Sequence, residues 1–91
     1  MSGTIGKTVR RIVRSKTDNR CYYCGANASG NLGEMEHFIP KSKGGTCELS
    51  NLVLSCKPCN SQKADLTGDE YIQLRIKYHY AALAHLLNLR G

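Results

Sequence analysis

Two Cys-x-x-Cys pairs, Cys21/Cys24 and Cys56/Cys59, constrain this chain more than any other feature. Thiolate sulfur is soft, and four thiolates satisfy Zn2+ tetrahedrally with no open position. Two pairs on two separate turns supply such a set, whereas a redox dithiol needs only one pair. The reading is a structural zinc knot held by Cys21, Cys24, Cys56 and Cys59. Gly25, directly after the first pair, suits a knuckle whose backbone N–H groups turn toward the sulfurs. The pairs are separated by 31 residues, more than a minimal zinc ribbon needs, so something is inserted between them. A fifth thiol, Cys47, is left over and reads as an unliganded side chain in a loop. A metal staple is what a chain of 91 residues requires, because so short a chain buries little apolar surface.

Charge narrows the partner. The net charge of +6 and pI near 9.2 fit a polyanion, of which nucleic acid is the usual one. The amino-terminal stretch is basic and has no apolar h-region, and no run approaches a membrane span. With cysteines paired for metal rather than for disulfides, the expected compartment is a reducing interior, a cytoplasm. A single domain over residues 1–91 is expected.

Along the chain, residues 4–16 read as an amphipathic helix. Ile5, Val9, Ile12 and Val13 fall on one face; Lys7, Arg10, Arg11 and Arg14 gather on the other as a candidate row of phosphate contacts. Asp18-Asn19-Arg20 breaks it. Residues 27–33 are rich in Gly, Asn and Ser and read as a loop. Residues 34–39 read as a strand, with Met35 and His37 on one face and Glu36 and Phe38 on the other, stopped by Pro40. Lys41-Ser42-Lys43-Gly44-Gly45-Thr46 reads as a basic loop, and residues 52–54 as a short apolar strand that completes a hairpin. A short helix over about residues 60–65 follows. Thr67-Gly68-Asp69-Glu70 is a capping box, opening a long helix to about residue 89. That helix is apolar on more faces than one small domain can cover, which points to packing on the first helix, on a second copy, or both.

Inside the inserted span lie residue types that phosphodiester hydrolysis requires. A water must lose a proton, and His37 suits that role because imidazole titrates near neutral pH. A divalent cation must neutralise charge on the phosphate and the departing 3′ oxygen. Glu36 and Asn60 offer a carboxylate and an amide oxygen, hard donors that favour Mg2+ or Mn2+ over a soft metal.

Taken together, Cys21-Tyr22-Tyr23-Cys24, Glu36-His37-Phe38-Ile39-Pro40-Lys41-Ser42-Lys43-Gly44-Gly45, Asn51-Leu52-Val53-Leu54-Ser55-Cys56 and Cys59-Asn60 with Lys63 resemble the HNH endonucleases, the ββα-metal nucleases with a zinc-binding cysteine quartet. The resemblance covers about residues 20–65. It implies an α+β fold: a ββα-metal core with a structural zinc knot, flanked by the basic helix and the long C-terminal helix. It implies that His37 is the general base and that Asn51 ties the hairpin loop together and helps set the histidine. Glu36 and Asn60 become ligands of a catalytic Mg2+ or Mn2+, Glu36 standing where the family usually has Asp. Lys63 matches a basic position that could contact phosphate, and Lys41 and Lys43 would add to DNA binding. The activity implied is metal-dependent cleavage of DNA in a bacterial or phage-infected cell, with a homodimer through the C-terminal helix as a further expectation. A second reading stays open: a non-catalytic zinc-ribbon module that binds nucleic acid or a partner protein.

Overall fold

The computed structural model describes residues 5–90. Helix α1 (Lys7–Lys16) is followed by strands β1 (Gly33–His37) and β2 (Leu52–Cys56), a short helix α2 (Lys57–Lys63) and a long helix α3 (Gly68–Arg90). The two strands form one antiparallel sheet, with Gly33 opposite Cys56 and His37 opposite Leu52. This is the α+β arrangement the motifs imply.

Helix α1 starts at Lys7, with Gly6 as its N-cap; residue 4, where the sequence placed its start, lies outside the described residues. Val13 is fully buried, and Ile5 and Val9 pack partly against the core. These three are spaced by four and share a face. Ile12 was expected with them, yet it is 39% exposed, because one residue before Val13 the helix has turned it by about 100°. Asp18 and Asn19 adopt left-handed conformations, with φ of 53° and 60°, and end the helix.

The core is small: Val13, Ala28, Leu52, Leu54 and Tyr71, together with Cys21, Cys56 and Cys59. Gly33 is required at the start of β1, since a Cβ there would overlap the carbonyl oxygen of Ala28. Strand β2 runs two residues further than its apolar run suggests, and α2 begins at Lys57 rather than after Cys59. Pro58 explains the early start: in the first turn of a helix its missing N–H costs nothing. Cys56 is therefore the N-cap of α2 and Cys59 lies within it, so the second cysteine pair straddles the strand-to-helix junction. Residues 41–43 of the basic loop form a 3-10 turn closed by Gly44 at φ 89°.

Between α2 and α3 the chain turns sharply. Leu66 N donates to Lys63 O at 2.9 Å, and Ala64 sits at φ 47°, ψ −122°. That is the second position of a type II′ turn, where glycine is favoured. Ala64→Gly is expected to stabilise the fold by about 1 kcal/mol, the strain relieved less the entropy glycine loses. A rise in the denaturant midpoint checks it.

The capping box is formed: Thr67 N donates to Glu70 Oε1 at 2.8 Å and Glu70 N to Thr67 Oγ1 at 3.1 Å. Helix α3 packs on the body only through its first turns, where Tyr71 is buried and Leu74 half-buried. Every residue from Ile76 through Leu89 is exposed, including Leu83, Leu86 and Leu87. From Ile76 through Leu89 the helix thus gains no cover from α1. Among the described residues, no helix is long and apolar enough to cross a membrane.

Candidate functional site

The first knuckle, after α1, and the β2–α2 junction bring the four cysteines together. Their sulfurs all lie within 4.8 Å of one another, and those of Cys24 and Cys56 are 3.6 Å apart. Tetrahedral zinc spaces its thiolates by about 3.8 Å, so the quartet is positioned to bind such an ion. Its surroundings suit negative sulfur: Tyr23 N lies 3.4 Å from Cys21 Sγ, and the Arg75 guanidinium 3.7 Å from Cys59 Sγ. Burial pushes the Cys59 thiol up to about 12. Burial also acts on Cys21, but backbone N–H groups outweigh it there and draw the thiol down to about 6. A bound cation removes that conflict, because it favours the thiolate at every position.

A second, more open site lies along the end of β1 and the outer side of α2. It is a cleft of about 350 Å³ lined by Glu36, His37, Lys41, Asn60, Lys63 and Asp65, among others. Strand alternation sends Glu34 and Glu36 to one face of β1 and His37 to the other. The two faces meet at this cleft because β1 ends at His37 and the chain bends away through Pro40.

Glu36 is buried at 6% exposure and engaged through both oxygens. Oε1 accepts from the Tyr23 hydroxyl at 2.8 Å, and Oε2 pairs with the Lys63 ammonium at 2.7 Å. Burial and this hydrogen bond raise the Tyr23 phenol, which stays a donor. Lys63 also donates to the carbonyl of His37 at 3.1 Å. The expected phosphate contact from Lys63 is therefore corrected: the residue is 1% exposed and serves as an internal counter-ion joining α2 to the end of β1. Removing one partner of such a pair strands a buried charge. Lys63→Ala is expected to destabilise the fold by about 3–5 kcal/mol, read from urea unfolding.

Asn60 donates from Nδ2 to the carboxylate of Glu34, a contact that turns Oδ1 away from that carboxylate. Glu36 and Asn60 both line the one cleft. A carboxylate has about four lone-pair sites, so each Glu36 oxygen keeps one beyond its present partner. Hard, partly anionic donors of this kind fit a hard divalent cation. His37 is half-buried; its Nε2 lies 3.3 Å from Cys47 Sγ. Burial lowers its pKa, Lys41 and Lys63 add to the effect and Glu36 opposes it, so the imidazole is neutral near pH 7.

Asn51 does not line the cleft. Its Oδ1 accepts from Ile39 N at 2.8 Å, and its Nδ2 donates to Ile39 O at 3.0 Å and Thr46 O at 2.8 Å. One side chain thereby clamps both ends of the basic loop. Gly45 lies inside the clamp, where a Cβ would overlap the carbonyl of Ile39.

The basic residues divide. Lys7, Arg10, Arg11 and Lys41 are exposed. Arg14, expected with them, is instead turned back onto the carbonyls of Ala28 and Gly30 at 3.3 Å each, bracing α1 against the loop. Lys43 is exposed but paired with Glu70 at 3.0 Å. Sequence reasoning missed Tyr23, Glu34 and Asp65. Glu34 had a signal, since it lies two residues before Glu36 on the same strand face. Tyr23 had none, because its reach depends on how the knuckle is turned.

A family model described as HNH endonuclease matches residues 21–73 of this chain. The match spans the cysteine quartet, both strands, α2 and the start of α3, and the chain belongs to the HNH endonuclease family. No curated protein matches the chain.

Proposed function

We propose that this protein is a metal-dependent DNA endonuclease whose centre is the cleft between β1 and α2. The observation that carries the reading is the meeting of Glu36, His37 and Asn60 at that cleft, within the span matched to the nuclease family. His37 takes a proton from the attacking water, and its lowered pKa leaves it free to do so. Asn51 holds the loop that follows His37, and Lys63 anchors the His37 carbonyl. Glu36 and the Asn60 amide oxygen would hold Mg2+ or Mn2+, which would supply positive charge to offset that on the phosphate and the departing 3′ oxygen. Glu34 sets the amide of Asn60. Lys41 at the cleft, with Lys7, Arg10 and Arg11 on α1, contacts the DNA backbone. Zn2+ in the cysteine quartet is structural, and the compartment is the cytoplasm of a bacterial or phage-infected cell.

Incubating duplex DNA with the zinc-loaded protein and Mg2+ or Mn2+ is expected to give breaks with 5′-phosphate and 3′-hydroxyl ends, which DNA ligase reseals. The Lys63 ammonium already on Glu36 favours a second reading, a zinc-ribbon module that binds nucleic acid without cutting it. That module would shift DNA in a gel equally with or without Mg2+ and leave it whole.

The exposed, nearly charge-free surface of α3 beyond Lys77 supports pairing of two copies, which would set two cleavage centres on one duplex. Light scattering is expected to give twice the chain mass, returning to the single mass in Leu83→Asp/Leu87→Asp. A monomeric wild type would contradict the pairing.

A further inference from the structure

One thiol lies outside the metal centre, and it touches the histidine. Cys47 Sγ is 3.3 Å from His37 Nε2, a hydrogen-bonding distance for sulfur. The contact is held from both sides. Asn51 bonds to Ile39, two residues after His37, and to the carbonyl of Thr46, the residue before Cys47. The clamp that shapes the loop therefore also sets the thiol against the ring.

We propose that Cys47 is a positioning residue for His37: its Sγ accepts a hydrogen bond from Nε2–H and so leaves Nδ1 as the basic nitrogen of the ring. This rests on the reading of His37 as the general base. The chemistry selects the direction of the bond. Sulfur covers Nε2, so a water can deliver its proton only to Nδ1. A neutral imidazole with a free lone pair on Nδ1 carries its hydrogen on Nε2, aimed at Sγ. The reverse bond, S–H to Nε2, puts the ring hydrogen on Nδ1 and leaves neither nitrogen able to accept. When Nδ1 takes the proton, the ring becomes cationic and the bond to sulfur becomes charge-assisted, strengthening as the reaction proceeds. The hydrogen bond one ring nitrogen makes sets which nitrogen carries the proton, and for metal-bound histidines removing such a partner costs about 10–100-fold, the scale adopted for His37.

Two readouts test this on the full chain loaded with Zn2+. The first is the 15N spectrum of the imidazoles, with the His37 signals identified by their loss in His37→Ala. Wild type is expected to show His37 as the Nε2–H tautomer. Cys47→Ala is expected to show a mixture, and Cys47→Ser, whose hydroxyl accepts the same bond, to return to Nε2–H. The second is cleavage kinetics: Cys47→Ala is expected to lower kcat by about tenfold or more with KM unchanged, and Cys47→Ser to recover most of it. A wild-type ring protonated on Nδ1, or a Cys47→Ala protein with unchanged tautomer or unchanged kcat, would overturn the proposal. So would a loss of kcat that Cys47→Ser shares in full while its tautomer is normal. The tautomer readout needs no cleavage. An inactive wild type would therefore count against the nuclease reading, and the ring spectrum alone would then decide the role of Cys47.

Discussion

Replacing His37 with alanine is expected to lower cleavage by about 10²–10⁴-fold, the usual share of a positioned general base. The protein should stay folded. His37 is only half-buried, and its backbone carbonyl, which binds Lys63, is untouched by the substitution. Opposite it, Leu52 is sealed in the core by its own neighbours. Zinc content, thermal midpoint and DNA affinity should therefore match wild type while kcat falls. KM should change little, because a base acts on the water and not on the bound phosphate. The check is single-turnover cleavage of a defined duplex at saturating protein, beside metal analysis of the same samples. If cleavage persists at the wild-type rate, another group is deprotonating the water.

Removing the structural metal should have the larger effect on the molecule itself. Three of the four quartet cysteines are core residues, and among the described residues the rest of the buried core is Val13, Ala28, Leu52, Leu54 and Tyr71. Structural zinc contributes about 10–16 kcal/mol of apparent binding energy in small zinc modules. A domain's whole stability is about 5–15 kcal/mol, so the fold is expected to be lost with the ion. A strong chelator, or Cys59→Ser, is expected to unfold the β1–β2–α2 unit at room temperature. Cys59 is the sharper choice, since it lies in α2 one residue before Asn60 and would release the cleft with the knot. Loss of dispersed amide signals for residues 33–63, restored by adding Zn2+ to the chelated sample, is the expected result. A chelated protein with its spectrum unchanged would mean that the apolar core alone carries the fold.

Much of this architecture was legible because it is written in short-range chemistry. The cysteine spacings mark the metal centre, the Thr67–Glu70 box marks the start of α3, and period-two alternation separates Glu36 from His37. What the sequence did not expose depends on which side chains meet across the fold. Lys63 looks like a surface cation on a short helix, and only the packing of α2 on β1 buries it against Glu36. Arg14 belongs by periodicity to a basic face, yet the loop at residues 28–30 passes within its reach. The boundaries of β2 and α2 shifted because backbone pairing continues past the apolar run, and because Pro58 opens a helix rather than blocking one. Cys47 reads as a spare thiol in sequence and becomes the neighbour of His37 only once Asn51 has folded the loop.

The most direct test of the central claim is a supercoiled-plasmid assay on zinc-loaded protein, run with Mg2+, Mn2+ and EDTA and with His37→Ala alongside. Conversion to nicked or linear plasmid is expected in at least one of the two metals, none in EDTA, and loss of conversion in the variant. Intact plasmid in every metal, with binding preserved in a gel shift, would contradict it and assign the chain to DNA binding without cleavage.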